Sequence, residues 1–108
     1  MTGGAAAYRK GRRCEYAVRD ELRAKDYVVI RAYASIGPWD LLALRPDMDP
    51  LMVQVKAGLK PYMLPHDRGA LIALAHKAGA IPVLAGYANS TYIFYRLVTI
   101  ADKEDMQP

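Results

Sequence analysis

The chain has 108 residues, a formal charge of +4 and 53% hydrophobic residues, enough for one domain with its own core and too few for several. Its pI of about 9.3 suits a polyanionic ligand, although basicity describes attraction at a distance and not fold. The single cysteine, Cys14, excludes an intramolecular disulfide and fits a reducing compartment. No apolar run approaches membrane-spanning length, and residues 1–7 are too short and uncharged for a signal peptide. The expected location is cytoplasmic, with no membrane partner.

Residues 1–7 are small and glycine-bearing, and are expected to be flexible. Across 9–25, Cys14, Ala17, Val18 and Leu22 recur at three- and four-residue steps, which predicts an amphipathic helix. Cys14 then reads as a small buried hydrophobe. Residues 27–33 are β-branched and aromatic and predict a strand; 40–44 and 51–56 predict two more, joined by a turn with prolines at both ends, Pro46 and Pro50. Residues 57–66 read as a loop punctuated by Gly58, Pro61 and Pro65. Asp67 is placed to cap a second helix with the stripe Leu71, Leu74, Ala75 and Ala78, ended by Gly79. Residues 81–87 predict a strand with Pro82 at its start. A turn at Asn89-Ser90 leads into 91–98, apolar or aromatic on both alternating faces except at Arg96. Such a strand is expected to be covered on both sides, either inside one monomer or by a second subunit. The polar residues 102–108 are expected to be flexible. The order αβββαββ predicts a single α/β domain over 1–108, a mixed β-sheet of about five strands flanked by helices.

The chemistry concentrates where two strands meet. Asp40 opens one strand and Gln54-Val55-Lys56 closes the next, so a hairpin brings them together. Gln54 and Lys56, two apart, share a face that Val53 and Val55 do not. A carboxylate, a second oxygen donor and an ammonium group so placed can hold a hard divalent cation and orient a water for phosphodiester hydrolysis, the chemistry of a metal-dependent nuclease. Arg9, Lys10, Arg12 and Arg13 form a basic cluster beside Glu15, suited to backbone phosphates; Lys60, Tyr62 and Arg68 are further DNA-binding candidates. Simpler roles exist for some of these residues. Glu15 stands four before Arg19, the spacing of a surface ion pair; Ser35 could be a turn residue, and Lys56 a solvated strand end. His66 and His76 form no ligand cluster with Cys14, which argues against zinc.

The run Tyr8-Arg9-Lys10-Gly11-Arg12-Arg13-Cys14-Glu15, then Arg31, Ser35, Asp40, Gln54-Val55-Lys56 and the Gly79-Ala80-Ile81-Pro82 turn, resembles the PD-(D/E)XK nuclease superfamily and within it the archaeal-type Holliday junction resolvases. The similarity spans residues 8–98. It implies a restriction-endonuclease-like sheet, Mg²⁺ as cofactor with Mn²⁺ as a substitute, a homodimer, and branched DNA, a four-way junction, as partner. It implies Asp40 as principal metal ligand, aided by the Gln54 side-chain carbonyl, the Val55 backbone carbonyl and Glu15. Lys56 would position or activate the attacking water, and Ser35 would help to place the phosphate. Two departures stand out. The family has a carboxylate where Gln54 stands, and commonly an Arg where Tyr16 stands; Arg12, Arg13 or Arg19 are candidates to supply that charge. The implied activity is symmetric phosphodiester hydrolysis at a four-way junction. The alternatives are a nuclease of the same fold acting on other DNA, restriction-type or flap-cutting, and a junction-binding protein with a degenerate site.

Overall fold

A computed structural model describes residues 3–33, 37–89, 91–100 and 103–106. Helix α1 spans Gly3–Ala24 and is followed by strands β1 Val28–Arg31, β2 Leu41–Arg45 and β3 Met48–Ala57, helix α2 Pro65–Ala78, and strands β4 Ile81–Ala88, β5 Tyr92–Val98 and β6 Lys103–Met106. The six strands form one sheet in sequence order. Only the β3 and β4 pair is parallel; every other neighbouring pair is antiparallel. A parallel pair needs a crossover, and α2 supplies it.

Strand alternation sorts the core into two layers. Leu51, Val53 and Val55 of β3 pack with Cys14, Val18 and Leu22 of α1. Met52 packs on the other face with Leu71 and Ala75 of α2 and with Leu84 and Val98. The sheet is thus sandwiched between one helix and the other, and Leu22, Leu41, Leu51 and Leu71 are wholly buried. Each such side chain contributes roughly 1.5–3 kcal/mol through burial. Near the far end of the α1 layer the Tyr95 hydroxyl donates to Glu21 Oε1 at 2.7 Å. Burial, reinforced by that carboxylate, holds the Tyr95 phenol well above its ordinary range.

Four differences from expectation have local causes. Helix α1 starts at Gly3, ahead of the apolar stripe, because Ala5-Ala6-Ala7 favour helix without needing a buried face. The β2–β3 turn is tighter than its prolines suggested: Arg45 pairs with Met48 through an irregular register, and Arg45 Nε holds Asp47 Oδ1 at 2.9 Å. Asp67 is not the cap of α2. Leu64 is the N-cap and makes no side-chain cap bond, while Pro65 starts the first turn and Asp67 adds a negative charge there. Within this chain strand β5 is covered at Tyr95 on one face and at Val98 on the other, while Tyr92 is left 54% exposed, which the expected cover by a second subunit allows. Part of the 102–108 tail, expected to fray, pairs with β5 as β6. Gly79 does end α2 as expected, with φ of 69°.

Gly86 lies in register with Lys56 on one side and Phe94 on the other, and a Cβ there would run into the Phe94 ring. Gly86→Ala is therefore expected to destabilise the fold by about 1–3 kcal/mol. Urea denaturation should show the loss, and a Phe94→Ala background should relieve most of it.

Candidate active site

The end of β2 is built around one carboxylate. The Ala32 N–H donates to the Asp40 carbonyl at 2.8 Å, and the Asp40 N–H donates to the Val53 carbonyl at 2.7 Å. Here the ladder to β3 stops, and the Asp40 side chain replaces it: Oδ2 accepts the Val55 N–H at 2.8 Å. The Val55 carbonyl leaves β3 toward the same edge, because the N–H and C=O of one strand residue point the same way. Asp40 is only 7% exposed. Burial is the main reason its pKa is pushed up to about 6; the Val55 N–H opposes the shift, Glu15 adds to it, and Lys56 and Arg31 oppose it. A buried carboxylate with this balance is poised for a positive charge.

Glu15 reaches the same end of the sheet from α1. Its Oε1 accepts from Arg31 Nε at 2.9 Å, and Arg31 closes β1 directly opposite Leu41, the neighbour of Asp40. The pairing of Glu15 with Arg19 that helical spacing suggested is not made. Arg19 instead holds Asp20 at 2.9 Å and stacks 4.5 Å above the Tyr16 ring. A cation beside Glu15 is thus Arg31, which also lies 5.3 Å from the Tyr16 ring centroid. Sequence reasoning missed this because the two residues are brought together by helix–sheet packing. A lone Arg ending a strand was the available signal.

On the α2 side, Gln54 and Lys56 line a cavity of about 160 Å³ with Gly37, Pro38, Met63 and Asp67. Sequence reading assigned Asp67 to helix capping and overlooked this position. The short proline-bounded loop after β3 was the signal, since it returns α2 to the strand it has just left. Ser35 lies outside the described residues. Among the described residues, no three His, Cys, Asp or Glu side chains converge in a way that could hold a metal ion. A cation here would depend on Asp40 together with amide and main-chain oxygens. Those are hard donors suited to Mg²⁺, which keeps much of its water.

The basic candidates surround this end unevenly. Arg9, Lys10 and Arg13 are exposed on α1 and Arg12 is half-buried. Lys10 and Arg13 line an open cleft of about 530 Å³ with Gly58, Leu59, Tyr87 and Asn89, just beyond Lys56 in the chain. Lys60 and Tyr62 are exposed in the β3–α2 loop, and Arg68 is half-buried on α2. Cys14 is buried against that cleft, and burial raises its thiol pKa, consistent with a packing role. No helix among the described residues is long and apolar enough to cross a membrane.

No protein-family model matches the chain. No curated protein matches it. Among solved structures, it is similar to that of Hjc from Archaeoglobus fulgidus, a Holliday junction resolvase from an archaeal hyperthermophile. The TM-score is 0.73 at 23% identity, over 82% of this chain and 73% of that one. The α/β architecture expected from the sequence is therefore the one found: the chain has the fold of an archaeal Holliday junction resolvase.

Proposed function

We propose that this protein is a divalent-metal-dependent endonuclease that resolves four-way DNA junctions by symmetric phosphodiester hydrolysis. The observation that carries the reading is the buried Asp40 carboxylate, bonded to the Val55 N–H and within electrostatic reach of Glu15, Arg31 and Lys56. The fold it shares with a resolvase supports the choice of substrate.

Asp40, with the Gln54 and Val55 carbonyls, would hold Mg²⁺ or Mn²⁺, which when bound polarises a phosphodiester and acidifies a water. Lys56 lies close enough to Asp40 to oppose its raised pKa, and its positive charge offsets charge developing on the phosphate and orients the water. The resemblance to resolvases assigns Glu15 to a second metal or a water; its bond to Arg31 fixes the carboxylate for that use. Ser35, by the same resemblance, helps to place the phosphate. Arg9, Lys10, Arg12, Arg13, Lys60, Tyr62 and Arg68 contact the DNA backbone, so recognition follows branch shape more than base identity.

A homodimer fits this substrate, because a two-fold axis presents two sites to two opposed strands. The partly open face of β5 supports it, as do Val28 and Ile30 on edge strand β1, 66% and 47% exposed. A second reading, a junction-binding protein with a degenerate site, is favoured by Gln54, which leaves the site without the carboxylate of the resolvase pattern.

Incubating the protein with a labelled immobile four-way junction and a matched linear duplex, in Mg²⁺ and in EDTA, separates these readings. Paired nicks in the junction alone, dependent on Mg²⁺, support the proposal. Cutting of both substrates favours a broader nuclease, and binding without cutting favours the degenerate site.

The raised pKa of Asp40 also predicts a proton–metal competition. Metal requires the ionised carboxylate. With a metal-free value of about 6, the ionised fraction falls about tenfold between pH 7 and pH 5. The Mg²⁺ concentration for half-maximal cleavage should rise about tenfold over the same interval; an unchanged midpoint would remove Asp40 from the metal site.

A further inference from the structure

Gln54 brings no charge to the site, and among the described residues no third acidic group joins Asp40 and Glu15 in a ligand cluster. Yet the cavity that Gln54 and Lys56 line has an acid on its helix side, Asp67. Its position is fixed by packing. Met63 is 2% exposed in the α2 core, and Pro65 begins the helix two residues later, which sets the first turn of α2 over the end of β3. The Asp67 side chain is 59% exposed and lies 3.6 Å from the exposed His66 imidazole. A weak surface contact of that kind does not commit the carboxylate elsewhere.

We propose that Asp67 is the acid that stands in for a carboxylate at position 54: it accepts hydrogen bonds from water on a divalent cation held by Asp40, Gln54 and Val55. Of those three ligands only Gln54 lines the cavity, whose volume of about 160 Å³ has room for roughly five waters, so that water connects Asp67 to a cation that retains part of its hydration shell. An acid in the outer shell of a metal raises affinity without direct ligation. Stabilising the helix dipole would require only that Asp67 lie in the first turn of α2. That role does not account for its place on the Gln54–Lys56 wall. The inference rests on the metal site proposed above.

Mn²⁺ binding to the DNA-free protein, followed by loss of the free-ion electron paramagnetic resonance signal, tests it without relying on cleavage. Asp67→Asn should weaken Mn²⁺ binding about tenfold while melting cooperatively like the parent, and adding Gln54→Glu in that background should restore affinity. Asp40→Asn should abolish binding in every background. Unchanged affinity in Asp67→Asn, or a loss that Gln54→Glu does not restore, overturns the role of Asp67. Mn²⁺ affinity unaffected by Asp40→Asn would instead overturn the metal reading on which it rests.

Discussion

Replacing Asp40 by asparagine is expected to make the protein more stable and catalytically inert. The Asp40 pKa rises from 3.8 to about 6 on folding, chiefly through burial. Between those values the folded state keeps a proton that the unfolded state releases, so stability falls as pH rises through the window. Above about pH 6 the ionised group has its full destabilising effect, on the order of 3 kcal/mol for a shift of this size. Asparagine carries no charge, and its amide oxygen can still accept from the Val55 N–H. Its added N–H₂ group needs a partner, which offsets part of the gain. Asp40→Asn should therefore be about 1–2 kcal/mol more stable than the parent in urea at pH 7, and that advantage should vanish below about pH 4. Adding Mg²⁺ should stabilise the parent and leave the variant unchanged, because only the parent binds it in the folded state. Junction cleavage should fall by about 10³-fold or more, the scale expected when a centre of transition-state electrostatics is removed. Equal cleavage by the variant would place the chemistry elsewhere.

Lys56→Met should separate binding from cutting. Methionine keeps an unbranched stem of similar reach but no charge, so packing beside Gly86 and Gln54 is preserved. One phosphate contact out of many changes junction affinity little. The charge that offsets the developing phosphate oxyanion is lost, and single-turnover cleavage should drop about 10²–10³-fold. A second readout follows from the electrostatics. Lys56 is one of the groups that lower the Asp40 pKa, so the variant should shift Asp40 titration upward, measurable by carboxyl NMR on the metal-free protein. Cleavage within about twofold of the parent, together with an unmoved titration, would return Lys56 to the role of a solvated strand end.

The contrast between what the sequence disclosed and what it withheld follows the range of each interaction. Asp40 was legible because a carboxylate beside the apolar run 41–44 is an awkward neighbour for a strand. Gln54 and Lys56 were legible as one face because strand alternation is strictly local. Helix α1 was visible in its apolar spacing and the Gly79 stop in its residue type. The α2 stripe was only half right, since Leu71 and Ala75 are buried, Leu74 and Ala78 are exposed, and Ile72 packs in their place. The partner of Glu15 was not legible. Helical spacing offered Arg19, but the packing of α1 against β1 brings in Arg31, which lies far along the chain. Asp67 was misread for the opposite reason: a short-range rule, helix capping, gave a sufficient local role and hid its tertiary position beside Gln54 and Lys56. The α2 cap is instead set by Pro65 and the backbone of Leu64. Strand β6 escaped because Lys103–Met106 is polar, and its pairing depends on the open edge of β5.

If the Asp40 end of the sheet cuts branched DNA, cleavage must depend on that carboxylate. The most direct test is single-turnover cleavage of a four-way junction with Mg²⁺, by the parent and Asp40→Asn side by side, with product ends mapped on a sequencing gel. The parent should give paired nicks at symmetry-related positions, and the variant junction binding without nicks. Nicks of equal rate from both proteins, or none from the parent, would contradict this reading of the site.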